Sequence, residues 1–158
     1  YKRQRYTLTE EGSRACIAYG LDSDSRDMEM RMKCLSVWQP WAELIVRGIK
    51  DVENRSWATS HRGPVLIHAG RRMRAGDLDL LAAEHGIELS RADLAFGAVL
   101  GVVDLVDCRS QQSSPWHLDD YIGWYFTNPR RLSEPIPCKG QLGLFGIPDE
   151  WLPPSWRP

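Results

Sequence analysis

The sequence predicts an α+β domain: a small β-barrel with a few helices packed on it and a short N-terminal extension. Three observations predict it. Apolar runs with strand character recur at residues 34–38, 64–68, 96–108, 121–128 and 142–147. Between them, helical spacing is clearest in Trp41, Leu44, Ile45 and in Leu78, Leu81, Ala82. The 158 residues fit one domain of ordinary size with room for a real core, and no internal repeat is seen.

Residues 1–31 differ from the rest. The run from Lys2 to Gly12 reads as a short strand and then a helix beginning near Thr9. Thr9 can cap that helix, with Glu10 and Glu11 favoured in its first turn. Residues 21–31 are acidic and polar and read as a linker. The globular domain begins at Lys33. Cys34 to Trp38 is the first strand, with Leu35 and Val37 on one face. Pro40 suits a first helical position, because it has no N–H to leave unpaired and its φ is already helical. Trp41, Leu44 and Ile45 then form one apolar stripe, and Gly48 stops the helix. The chain turns extended, with Lys50 in the turn. Alternation puts Asp51, Glu53 and Arg55 on one face and Val52 and Asn54 on the other.

Residues 55–62 form a polar loop, and Pro64 to His68 is a short buried strand. Arg71, Arg72 and Arg74 make a basic cluster, either solvated surface charge or phosphate contacts at a cleft rim. Residues 76–85 are helical, with Gly86 as the stop, and residues 90–94 add a turn of helix. Residues 96–108 are apolar on both faces, which makes them a central strand. Residues 116–120 read as a short helical piece. Tyr121 to Asn128 is an aromatic strand, ended by a turn at Asn128-Pro129. Residues 132–137 are interrupted by prolines and belong on an edge. Residues 142–147 close the barrel. From Trp151 the chain reads as a tail, proline-rich over residues 153–158.

Charge is nearly balanced, 20 Lys and Arg against 21 Asp and Glu. No global basic field grips a long nucleic-acid backbone, so any nucleic acid binds through a local cleft. Seven tryptophans suit both core anchoring and base stacking. Cys16, Cys34, Cys108 and Cys138 lie far apart without a C-x-x-C pair, so no metal site and no cofactor is expected. The apolar runs fall short of a membrane span and no signal-peptide pattern opens the chain. A cytoplasmic protein with reduced thiols and no membrane partner is the expectation; the oligomeric state is not fixed.

The run Gly48-x-Lys50-x-x-Glu53-x-Arg55 follows Leu35-Ser36-Val37-Trp38-Gln39-Pro40-Trp41-Ala42. Gly63-Pro64-Val65-Leu66-Ile67-His68-Ala69-Gly70 and Gly140-Gln141-Leu142-Gly143-Leu144-Phe145 come later. Together these segments, over residues 33–152, resemble the ASCH domain family. The resemblance implies a PUA-like β-barrel whose signature lines a cleft, with RNA or a nucleotide-like small molecule as partner. It also implies that His68 and the strand carrying Trp124 lie beside that cleft. The candidate ligand-binding set is Ser36, Trp38, Gln39, Gly48, Lys50, Glu53, Arg55, Trp57, Arg71 and Trp124. If the domain is an enzyme, Lys50, Glu53 and His68 carry the catalysis.

Three functional readings follow. In the first, aromatic rings stack a base, Lys50 and Arg55 hold a phosphate or carbonyl, and Glu53 reads a base edge. The second is a hydrolase acting on RNA or on a modified nucleoside. Some small relatives of the family resemble amidohydrolases of N4-acylated cytidines that use the signature Lys with a Thr and a separate Glu. Here Glu53 stands at the position matching that Thr, so their nucleophile is missing. The third makes the domain an effector module on a DNA-binding protein. The stretch from Tyr6 to Gly20 resembles the end of a winged-helix domain, its alternative being an unrelated leader.

Overall fold

Alternating and doubly apolar runs become six strands and two α-helices in the computed structural model, which describes residues 31–156. The expected N-terminal strand and helix, the winged-helix likeness and most of the linker lie outside the described residues. The elements are β1 (Met32–Val37), α1 (Trp41–Val46), β2 (Val52–Arg55), β3 (Gly63–Ala69), α2 (Asp77–His85), β4 (Ala98–Arg109), β5 (Ile122–Pro137) and β6 (Leu144–Ile147). They form one mixed sheet in the order β2-β5-β4-β3-β1-β6. β1 and β3 run parallel and the other neighbours antiparallel.

The expected closure into a barrel is not seen. β2 and β6 are the two edges of the sheet, with four residues each. β2 pairs only with Ile122 to Tyr125, and β6 only with Met32 to Leu35. Edge strands this short offer few ladder bonds to join across. The sheet nevertheless curls far enough for Arg55, the last residue of β2, to donate to the carbonyl of Ser36 on β1 at 2.5 Å.

Alternation divides the core as the sequence predicts. Leu35, Val37, Val65, Ile67, Val103 and Leu105 pack on one face with Ala42, Ile45 and Val46 of α1. Cys34, Leu66, Val99, Val102, Phe145 and Ile147 pack on the other. That second face is covered by the C-terminal segment: Leu152 is buried in it, and Trp151 and Trp156 lie against it. The segment read as a tail is therefore packed as far as Trp156. Apolar area removed from water is worth roughly 25 cal/mol per Å², so three large side chains are enough to hold a short segment of 3₁₀ turns.

Local rules misplace three elements. Pro40 stands one residue before α1, as its N-cap. The turn expected at Asn128-Pro129 is instead a kink inside one continuous β5, where Asn128 takes φ +48° and the β4–β5 register shifts. Past Tyr125, β5 pairs with β4 alone, so a proline without an N–H is tolerated there. Residues 116–120 are turns, not helix. The Asn54 side chain donates to the Trp116 carbonyl at 2.8 Å and accepts the Leu118 N–H at 2.9 Å, taking up groups a helix would use.

α1 is buried nearly all round and includes one charge. Glu43 is fully buried and accepts from Arg47 at 2.7 Å and from Arg131 of β5 at 3.0 Å. This carboxylate ties the helix to the far half of β5. Replacement by alanine leaves two arginines that are already partly exposed and can hydrate. We expect Glu43→Ala to cost about 1–3 kcal/mol, read from urea unfolding monitored by tryptophan fluorescence.

Candidate functional site

The site begins where α1 stops. Gly48 takes φ +73°, and a Cβ there would stand 2.8 Å from Pro129 Cγ. The Ile49 and Lys50 N–H groups both donate to the Leu44 carbonyl, at 3.0 and 3.2 Å, which fixes the turn. Lys50 is consequently only 5% exposed. Its Nζ donates to the Val52 carbonyl and to Glu53 Oε2, the latter at 3.3 Å. Burial pulls the ammonium below the ordinary lysine value, and the charge of Glu53 opposes that shift. The other Glu53 oxygen lies 3.4 Å from the Arg55 guanidinium.

Arg55 thus spans Glu53 and the Ser36 carbonyl, while its Nε is buried and has no hydrogen-bond partner. Val52 points into the core and Asn54 holds the 116–118 loop, as alternation predicts. Asp51 departs from the expectation. It precedes β2 and accepts from Ser114 Oγ on that same loop at 2.5 Å.

On the far side of Arg55, Ser36 and His68 face each other in the β1–β3 register. His68 Nε2 lies 3.1 Å from the Cys138 carbonyl, which can only accept. Nε2 therefore carries the proton, and Nδ1 accepts from the Ser36 hydroxyl at 3.1 Å. Burial, with Arg71 adding repulsion, lowers the His68 pKa from its ordinary value. Gly140 packs directly on the pair: a Cβ there would stand 2.5 Å from His68 Cε1 and 2.6 Å from Ser36 Oγ.

The remaining candidates fall into two groups. Trp38, 40% exposed with the Arg74 guanidinium 5.2 Å from its ring centroid, and Arg71, which lies across Gly97, stand on an open rim. Gln39 and Trp124 are fully buried. Gln39 donates to the Ala95 carbonyl at 2.7 Å and accepts the Glu43 N–H at 3.1 Å. Trp124 packs edge-on against Trp57, centroids 4.6 Å apart, and donates to the Trp57 carbonyl at 2.9 Å. Both belong to the frame of the site in this structure, and Trp57 is half-buried beside them. The pocket that Lys50 borders, with Ile45, Val103 and Phe126, measures about 60 Å³, well below the roughly 300 Å³ of small-molecule pockets.

Sequence reasoning passed over the Cys138 carbonyl and Glu43. The spacing of Glu43 and Arg47 was a readable signal; the approach of residue 138 to residue 68 has none. Among the described residues, no three of His, Cys, Asp and Glu gather as a metal site, and no helix is long and apolar enough to cross a membrane.

A histidine with a lowered folded-state pKa binds its proton more readily in the unfolded chain. Its stabilising contribution is complete above the unfolded value of about 6.5 and is lost as pH falls through it. We therefore expect stability to decline below about pH 6.5 in urea titrations, with the decline reduced in His68→Gln. Gly140→Ala is expected to separate Ser36 from His68 and to lower stability by about 1–3 kcal/mol, in the same assay.

Comparison with known proteins bears on the family. The family model of the ASCH domain matches residues 35–136. Activating signal cointegrator 1 of Mus musculus is 39% identical over 128 residues, covering 72% of this chain and 22% of the mouse protein. Its Homo sapiens namesake is 34% identical over 155 residues, covering 82% of this chain and 26% of the human protein. The chain thus spans about a quarter of the length of these relatives. The chain belongs to the ASCH domain family.

Proposed function

We propose that the domain binds RNA or a nucleotide-like ligand in the groove between β2 and β1, over the signature residues. The single observation that carries this reading is the Arg55 guanidinium. It is fixed on one side by Glu53 and the Ser36 carbonyl, while its side chain stays 24% exposed. A phosphate or base carbonyl supplies an acceptor of the right kind at that exposed part. Glu53 and Ser36 flank it with acceptor and hydroxyl groups suited to a base edge. Lys50 acts from beneath by holding Glu53 in place. The likeness to part of activating signal cointegrator 1 fits a module serving a longer protein.

One observation favours a second reading, a hydrolase of RNA or of a modified nucleoside. His68 is biased to its neutral form with Nδ1 as acceptor, the state a general base requires. A 2′-hydroxyl would meet that nitrogen only if Gly140, which packs on the Ser36–His68 pair, moved aside. Glu53, held in place by Lys50, would then supply charge.

Both readings meet one experiment. The protein is incubated with mixed single-stranded RNA and modified nucleosides, N4-acetylcytidine among them. Retained ligand and new products are then identified by mass spectrometry. We expect retention by the wild type and a loss of affinity of roughly tenfold or more in Arg55→Ala, the scale of one hydrogen bond to a charged group. Arg55→Lys should not restore it, because an ammonium lacks the guanidinium fork. Equal retention by wild type and Arg55→Ala would overturn the binding reading. New products that vanish in His68→Gln would favour the hydrolase.

A further inference from the structure

The basic run after β3 and the rings at the same end of the sheet lie outside the signature. Three chain crossings are laid side by side there. Gly70 N–H donates to the Val37 carbonyl at 2.8 Å, Gly97 N–H to the Ala69 carbonyl at 2.7 Å, and Cys138 N–H to the Gly97 carbonyl at 3.0 Å. Gly97 lets a side chain lie on the backbone: a Cβ there would stand 3.3 Å from Arg71 Nε, whereas one on Gly70 would be in ordinary contact, 3.6 Å from Trp38 Cδ1. Trp38 and Phe96 flank this row, and each carries a guanidinium on its ring: Arg74 at 5.2 Å and Arg91 at 4.6 Å from the centroids.

The charge on this rim is uncompensated. Arg71, Arg72, Arg74, Arg91 and Lys139 are all exposed, and among the described residues none forms an ion pair with a carboxylate. Two of the acids close by in sequence are already engaged. Asp93 is held in the capping box of Ser90, and Asp77 accepts the Arg74 backbone N–H at 3.2 Å. In a chain of net charge −1, five unpaired cations at one end of the sheet form a local field.

We propose that this rim is a binding track for single-stranded RNA, with Trp38–Arg74 and Phe96–Arg91 as two base-stacking platforms and Arg71, Arg72 and Lys139 as phosphate contacts. The proposal rests on the reading above that the groove takes a nucleotide, and it sets the substrate class: a single strand several nucleotides long. A guanidinium lying on an aromatic ring offers its own plane to a base, so each platform can hold a stacked base on top. Duplex RNA keeps its bases inside the helix and can use only the phosphate contacts.

The test uses the full chain and fluorescence titration with cytidine 5′-monophosphate, single-stranded RNA of two to six nucleotides, and a blunt RNA hairpin. We expect affinity to rise with length beyond one nucleotide and the hairpin to bind more weakly than the longer single strands. Trp38→Leu should cost roughly tenfold on the six-nucleotide strand, the scale of one lost base stack. Arg71→Ala with Arg72→Ala should flatten the salt dependence by roughly 1.4 in log Kd per log salt. Binding of the mononucleotide without gain on lengthening would overturn the track and leave the groove reading intact. The track also falls, and the groove reading stands, if the hairpin binds as tightly as the single strand or if both variants behave as wild type. Failure of every ligand to bind would remove both.

Discussion

The contact between Arg55 and the Ser36 carbonyl organises the proposed binding site. It joins the last residue of the edge strand β2 to β1, across a gap that no backbone ladder bridges. Arg55 can stay there because Glu53 balances its charge, and Glu53 stays because Lys50 holds its other oxygen from inside the protein. A buried ammonium with a poor partner carries a large desolvation cost. Here the Val52 carbonyl and the Glu53 carboxylate offset part of it. The three charged residues of the signature therefore act as one unit: each depends on the next, and together they hold two strands at the width of a groove. Losing Lys50 would be felt through Glu53 and Arg55, although Lys50 itself faces away from solvent.

The neighbouring Ser36–His68 pair depends on the same frame. β1 and β3 set the two residues opposite each other, and the Cys138 carbonyl selects the tautomer. Gly140 then closes over them without a side chain. Ser36 is thus shared: its carbonyl serves Arg55 and its hydroxyl serves His68. A shift of β1 by one residue would break both links at once, since it would turn Ser36 to the opposite face.

Much of this was legible in the sequence, for a physical reason. Strand alternation and helical stripes are local, so β1, β3, β4 and both helices read correctly from residues such as Leu35, Val65 and Leu81. The grouping of Lys50, Glu53 and Arg55 was legible because they are neighbours in the chain. What failed depended on distant partners. Asn128-Pro129 has the local chemistry of a turn, and only the absence of a second neighbour for β5 at that point lets it remain a strand. Residues 116–120 lost their helix to the side chain of Asn54, more than sixty positions away. Barrel closure was expected from short strands with few helices and from the family resemblance, whereas β2 and β6, four residues each, stay unpaired with one another. Trp124 has the composition of a stacking ring; Trp57 and the core, not its own neighbours, decide that it is buried.

Charge is partitioned between groove and rim, and this divides the work of binding. In the groove one carboxylate sits among two cations beside a histidine biased towards neutrality, so the local field is weak and the directional groups are many. At the rim five cations stand without a carboxylate partner among the described residues, so the field is strong and direction comes from two rings. Phosphate contacts position a nucleic acid and base contacts specify it. A ligand held at both places would take its affinity, and its sensitivity to salt, from the rim. Its discrimination would come from Arg55, Glu53 and Ser36. The near-zero charge of the whole chain sharpens that division, because the remaining surface offers a polyanion no general attraction.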